Sequence, residues 1–326
     1  MKRVGVIGAG MAGLAAAEEL ARAGASPVVF DKGRGPGGRS SVRRAPPFEF
    51  DHGAQYFTAR DERFVERVRA WRSEGVVAPW TGRIVSLARR SIAELSEPTE
   101  RWVGAPAMNA LPLRLARDLE LRSNTRVASA RFEGGRWRLR DAEDHPLGEF
   151  EQLVAALPLP QAAELFRGQS ELAPRAERVD ASPCWAVLVG LRERLPLEFD
   201  GAFCHDSGLS WVARNNSKPG RPPGECWVLH ATADWTRARL EAPREQVAAE
   251  LIAEFELASG VAVPPPAHLD AHRWRYALPA PQEPAAPLAW LESSRALAFA
   301  GDGCVGGRIE GAFLSGQAAA RALGVR

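Results

Sequence analysis

The sequence predicts an α/β fold in which a Rossmann-like domain is joined to a second, mixed-sheet α+β domain. Three observations lead there. The apolar run Val4–Ile7 opens through glycines 8, 10 and 13 into an alanine-rich helix. A second apolar run, Pro27–Phe30, ends on an acid, Asp31. Finally, 326 residues with 45% hydrophobic content exceed the size at which a single core usually splits in two.

The glycine triplet draws its meaning from where it stands. Gly8 permits a tight turn out of the strand, Gly10 lets a pyrophosphate approach the backbone, and Gly13 lets helix and strand pack closely. The helix that follows, beginning near Ala12, presents N–H groups and partial positive charge to that anion. Asp31 lies about 20 residues beyond the glycines, where an acid binds ribose hydroxyls and disfavours a 2′-phosphate. The next residues, Lys32-Gly33-Arg34-Gly35-Pro36-Gly37-Gly38-Arg39, can continue neither strand nor helix, so they form a loop just past the ribose site. There Gly38 allows close approach and Arg39 offers a guanidinium to the pyrophosphate. An NAD fingerprint does not require that loop, which makes FAD the expected dinucleotide.

The remaining elements follow from periodicity. Asp61–Arg72 has helical spacing of Phe64, Val65, Val68 and Trp71 and leads through Trp80 into a less regular segment ending near Pro98. Leu111–Leu121 reads as an amphipathic helix, and Gly134-Gly135 between Ala130–Phe132 and Arg136–Leu139 is a hairpin signature. Leu153–Leu157 reads as a buried strand stopped by Pro158. Strands are expected at 186–191, 209–213 and 226–231, with a helix over 244–258 and proline-rich connections at 264–266 and 279–287. The expected division assigns 1–60, 100–166 and 286–326 to the cofactor domain and 61–99 and 167–285 to the substrate domain.

Gly301-Asp302-Gly303-Cys304-Val305-Gly306 also matches GxGxxG. A second Rossmann unit would need a further strand and an acid about 20 residues on, and Arg326 is reached first, so this match reads as a turn after the strand 296–300. Net charge is only +2 with arginine spread along the chain, which argues against a nucleic-acid partner. Cys184, Cys204, Cys226 and Cys304 show neither CxxC nor metal-ligand spacing, so neither a disulfide reductase nor a zinc site is expected. Met1–Ala17 imitates a secretory signal, but its glycines belong to the fingerprint. With no run of eighteen apolar residues elsewhere, a soluble, cytoplasmic protein is expected.

The run DKGRGPGGRS, followed by Phe50-Asp51-His52-Gly53-Ala54-Gln55-Tyr56-Phe57, resembles the flavin amine-oxidase superfamily, and its renalase branch in particular. The similarity continues through Trp102-Val103-Gly104, Leu153–Pro158, Trp227–His230 and His272–Tyr276, and ends with Ala300-Gly301-Asp302-Gly303 and Gly311–Gly316. It implies an FAD-binding fold of the glutathione-reductase-type, p-hydroxybenzoate-hydroxylase-like kind. It also implies non-covalent FAD, no cysteine lying between 268 and 295. Further cofactor contacts follow from it: Gln55 and Tyr56, the backbone of Val127 at the adenine, Asp302 at a ribityl hydroxyl after Gly301, and the helix start at Ile309 and Glu310 aimed at the flavin N1–C2 edge.

Typical members hold a water near the flavin with a lysine. Of the three lysines here, Lys2 and Lys32 lie at the AMP end, and Lys218 sits in a Lys-Pro-Gly turn. The renalase-like reaction demands no protein base, because loss of hydride from a 2- or 6-dihydronicotinamide restores an aromatic ring. The expected partners are therefore an isomeric dihydro-NAD(P) and dioxygen, giving NAD(P)⁺ and hydrogen peroxide. Expected site walls are Trp211, Arg214, Asn215 and Asn216 on one strand and turn, His230 on its neighbour, and Trp274 with Tyr276. Arg214 is assigned to substrate phosphate and the aromatics to the ring. The alternatives are an amine oxidase or desaturase on the same scaffold, a reductase using ordinary NAD(P)H, and a non-enzymatic FAD-binding protein.

Overall fold

The computed structural model describes residues 1–97, 99–281 and 287–324. Its first layer is a six-stranded sheet ordered Trp290–Glu292, Leu297–Phe299, Gln152–Ala155, Arg3–Ile7, Ser26–Phe30 and Glu120–Arg122. All neighbours are parallel except Trp290–Glu292 with Leu297–Phe299. Such strands, buried on both faces, read as continuous apolar runs, which is why Val4–Ile7 and Val28–Phe30 carry no alternation.

Helices Met11–Arg22 and Ile309–Ala322 pack against each other on this sheet. They approach so closely at Gly316 that a Cβ there would lie 2.1 Å from the Ala12 carbonyl. The antiparallel meander Ser129–Glu133, Arg136–Arg140, Pro146–Phe150 turns at Gly134-Gly135, both at positive φ as a two-residue hairpin requires. It packs on the sheet through Phe150 against Phe30.

The second layer is a seven-stranded mixed sheet ordered 268–279, 181–191, 225–231, 209–214, 201–205, 84–88 and 91–94. Helix Arg244–Ser259 covers it with Val247, Leu251 and Phe255. The described part of the segment 61–99 is shared between layers. Strands Ile84–Ala88 and Ser91–Glu94 join the second sheet. Helix Glu62–Ser73, capped by Asp61, instead sets Phe64 and Trp71 against Phe313 of the C-terminal helix.

The helix expected over Leu111–Leu121 is shorter than its pattern. It spans Ala110–Ala116, and Glu120–Arg122 forms the edge strand with Leu121 opposite Val29. The open edge of Ser26–Phe30 supplies backbone partners that outweigh the local helical spacing. The expected boundary at 285–286, and most of the proline-rich stretch 279–287, lie outside the described residues. No helix among the described residues is long and apolar enough to cross a membrane.

Candidate cofactor site and active site

At the nucleotide end, Gly8 stands at φ +107, and a Cβ on Gly13 would lie 1.9 Å from the Gly8 carbonyl, so both positions demand glycine. A Cβ on Gly10 would meet nothing within 4 Å. Gly10 is also the N-cap of the helix, with no side-chain cap and no acid in the first turn. An uncapped helix N-terminus beside an open glycine is a cradle for an anion. Asp31 accepts from Ala9 N and Gly33 N, both at 2.6 Å, which binds the glycine turn to the following loop. That loop crosses back over the turn: Gly37 N donates to Ala9 O, and a Cβ on Gly38 would lie 3.3 Å from the Gly10 Cα. Lys32 is exposed beside it. These residues fit the diphosphate and ribose of a dinucleotide.

Arg39 and Asp302, expected at separate parts of the cofactor, pair with each other. The guanidinium meets the carboxylate at 2.5 and 2.8 Å and donates to Ala277 O at 3.0 Å. Tyr276 shares a small recess with both. Gly301, at φ +146, donates its N–H to Ser315 Oγ at 2.9 Å. Glu310 is buried and accepts from the backbone of Arg60 and Asp61 at 2.6 and 2.8 Å, so it anchors the segment leading into Glu62–Ser73. Ile309 packs on the core between helices Met11–Arg22 and Ile309–Ala322, and Val127 is buried with Ala130, Trp137 and Leu139 of the meander.

Gly53 forms the back of the site, because a Cβ on it would strike the Arg39 carbonyl at 2.1 Å and come within 3.2 Å of Trp274. Trp274 Nε1 donates to His52 O at 2.9 Å, and its ring stacks on the His52 imidazole. His230 Nε2 lies 3.2 Å from the same carbonyl, and His272 stands edge-on to His52 and Trp274. Burial, reinforced by His272, Arg43 and His230, pushes His52 down to about 3. Burial, with Lys218 adding to it, brings His230 to about 4. His272 also falls to about 4, through burial and then Arg43 and Arg244. Three imidazoles are thus held neutral. Trp211 packs beside them with Tyr56, Trp80 and Phe203.

Arg214 does not face a substrate phosphate. It is 2% exposed, and its guanidinium is surrounded by Glu225, Asp200 and the carbonyls of Leu195, Leu197 and Phe199, under the Trp227 ring. All five of its N–H donors are used inside the second domain. Asn215 and Asn216 are committed as well. Asn215 bonds Glu49 O, Asp51 N and Lys218 Nζ, and Asn216 accepts from Cys226 N. The register of strand Leu209–Arg214 against Glu225–Ala231 decides this, since it sets Arg214 opposite Trp227 and beside Glu225.

The turn containing Lys218 is real, yet its side chain is fully buried, 3.2 Å from Asp51 Oδ2 and 3.1 Å from Gln55 Oε1. Arg221 joins the same carboxylate at 2.6 Å. Asp51, His52, Lys218 and Arg221 meet around the bend 51–55, a grouping that sequence reasoning missed. The available signal was the acid in Phe50-Asp51-His52, which follows the aromatic Phe48 and Phe50 of a strand and, if buried with them, needs a cation. The cysteines behave as small hydrophobes: Cys204, Cys226 and Cys304 are buried, Cys184 is half-buried, and burial raises all four thiols.

Residues 6–70 match the NAD(P)-binding Rossmann-like domain family, and residues 90–324 match the flavin containing amine oxidoreductase family. Among solved structures the fold is similar to that of a protein described as a protoporphyrinogen oxidase from Exiguobacterium sp. 255-15, with TM-score 0.79, 14% identity and 98% of each chain covered. Cyclohexylamine oxidase from Brevibacterium oxydans IH-35A gives TM-score 0.74 at 13% identity, covering 99% of this chain and 98% of that one. Reduced UDP-galactopyranose mutase gives 0.76 at 13%, covering 100% and 96%. The second-domain sheet, the glycine turn and the family match over most of the chain agree: this protein belongs to the flavin containing amine oxidoreductases and is an FAD-dependent oxidoreductase.

Proposed function

We propose that the enzyme oxidises isomeric dihydronicotinamide nucleotides, the 2- or 6-dihydro forms of NAD(P), and discharges the electrons to dioxygen as hydrogen peroxide. FAD supplies the hydride acceptor and the route to oxygen, as flavins do. The observation that carries the reading is the engagement of Lys218. Its three donors go to Asp51, Gln55 and Asn215, so none is left to hold a water for amine chemistry. The neighbouring imidazoles are held neutral by burial, and hydride loss that restores an aromatic ring asks for no protein base.

In this reading Gly8, Gly10, Ala12 and Gly13 seat the diphosphate with Gly38 and Arg39, Asp31 and Lys32 serve the ribose, and the Val127 backbone meets the adenine. Gln55, Tyr56, Gly301, Asp302, Ile309 and Glu310 surround the ribityl chain and flavin ring, which is bound non-covalently. Trp211, His230, Trp274 and Tyr276 wall the substrate, their aromatic faces suited to a flat ring. The protein acts in the cytoplasm.

Anaerobic stopped-flow at the flavin absorption band tests this. The protein is mixed separately with 2- and 6-dihydro-NAD(P), with ordinary NADH and NADPH, and with an amine panel. Rapid bleaching by the isomeric nucleotides alone, reversed by oxygen, is the expected result. Bleaching by ordinary NAD(P)H or by an amine discards the proposed substrate. The amine outcome is the second reading, favoured by the family match.

A further inference from the structure

Lys218 follows the short turn Asn215–Ser217 and buries its ammonium beneath the Trp80 ring, 5.5 Å from the centroid. Arg221, equally buried, contacts the same carboxylate through Nε at 3.2 Å and Nη2 at 2.6 Å, and also donates to the Gly104 and Pro219 carbonyls. Asp51 completes its coordination with Met108 N at 3.0 Å. Two cations therefore share one carboxylate, and the cluster carries a surplus positive charge where water is excluded. A salt bridge serving packing alone needs one cation, and a second buried charge is costly. The other faces around Lys218 are neutral: Gln55, Asn215, the Trp80 ring, and His230, which burial keeps uncharged.

The cluster grips the segment that backs the cofactor site. Asp51 is the last residue of strand Phe48–Asp51 and pairs with Val42, three residues past Arg39. Gln55 accepts from Lys218 and donates to the carbonyls of Asp51 and Gly53. Between them, Ala54 N holds Arg39 O at 2.8 Å, and the Arg39 side chain holds Asp302. Hydrogen bonds joined by the Gly53-Ala54 peptide link and by Arg39 itself thus connect Lys218 to the Arg39–Asp302 pair.

We propose that Lys218 is a positioning residue for the bound flavin: it fixes the bend 51–55 through Asp51 and Gln55, and the surplus positive charge of the Asp51–Lys218–Arg221 cluster favours the negatively charged reduced cofactor. Positive charge placed near a redox group stabilises the form that carries the extra electrons. Burial first, opposed by Asp51 and aided by Arg221, lowers Lys218 to about 8, so the surplus fades as pH rises through that value. The inference holds whichever substrate is oxidised.

The test compares purified holoenzyme with Lys218→Met, Lys218→Arg and, as a control for loss of a buried charge elsewhere, Arg214→Met. Midpoint potential, FAD release and melting temperature are measured at pH 7 and again well above pH 8. Lys218→Met is expected to lower the midpoint potential and to weaken FAD retention about tenfold. Lys218→Arg recovers the potential, and Arg214→Met moves the melting temperature alone. Lys218→Met with unchanged potential and FAD retention overturns the proposal, whatever its melting temperature. If Lys218→Met does not fold, the wild type and Lys218→Arg decide. The wild-type potential should fall more steeply with pH than that of Lys218→Arg, and coincident curves overturn the proposal.

Discussion

Two buried arginine–carboxylate centres stand close in sequence and differ in the sign of their charge. At Arg214 one guanidinium faces two carboxylates, Glu225 and Asp200, and its other donors close the loop 195–199 onto its own sheet. At Asp51 one carboxylate faces two cations, Lys218 and Arg221, and the partners come from both ends of the chain's first two-thirds: residues 51, 55, 104 and 108 on one side, 215 to 221 on the other. The first centre completes one domain. The second clamps the bend behind the cofactor to the turn that leaves the second sheet, so it alone can transmit a change in charge to the site.

Breaking each centre separates these roles. Asp51→Asn removes the only carboxylate between two buried cations, and the largest loss is expected there, about 3–5 kcal/mol of unfolding free energy in urea together with reduced FAD content. Arg214→Met leaves the buried Glu225 without its cation and takes one donor from each of three carbonyls. A loss of about 3 kcal/mol is expected, with FAD content and KM unchanged, because the residue's donors are all committed inside the second domain. A raised KM with intact stability in that variant would erase the distinction between the centres.

Acid sharpens the comparison next. His52, His230 and His272 lie around the bend, while none of Arg214's partners is a histidine. Their folded-state values, about 3, 4 and 4, lie below the ordinary 6.5, so the folded protein keeps them neutral while the unfolded chain takes up protons. The stability they contribute is complete above pH 6.5 and is lost as pH falls from there towards about 4 for His230 and His272 and about 3 for His52, at up to about 1.4 kcal/mol per pH unit for each group. Denaturant midpoints measured across that window should fall, and His52→Phe should flatten the limb. An unchanged limb would place the titration elsewhere.

These centres also show where sequence reading stops. The glycine turn, Asp31 and the Gly134-Gly135 hairpin were legible because each is decided within about twenty residues, by backbone geometry that only certain residues adopt. Arg214 and Lys218 were not, because their surroundings arrive from afar. Arg214's fate depends on strand register and on Glu225 across the sheet. Lys218 stands in a turn as Lys-Pro-Gly suggests, but a turn signal does not say which way a side chain points. That is decided by Asp51, 167 residues earlier. The helix read over Leu111–Leu121 failed for a related reason: an unpaired sheet edge converted its end to strand.

The smallest stability effect belongs to the glycine turn, and it is the most selective. Gly10 has φ −82 and ψ −177, open to any residue, and an added Cβ meets no protein atom within 4 Å. Gly10→Ala should therefore cost about 1 kcal/mol or less, the difference between glycine and alanine at an N-cap. Gly13→Ala drives a Cβ to 1.9 Å from the Gly8 carbonyl and should unsettle the turn with or without cofactor. If the diphosphate sits against Gly10, Gly10→Ala protein is purified folded but poor in FAD, and titration of the apoprotein shows an affinity at least about tenfold weaker. Full FAD binding by Gly10→Ala would mean that the backbone of this turn does not seat the diphosphate, and the cofactor's approach would have to be redrawn from the Arg39–Asp302 side.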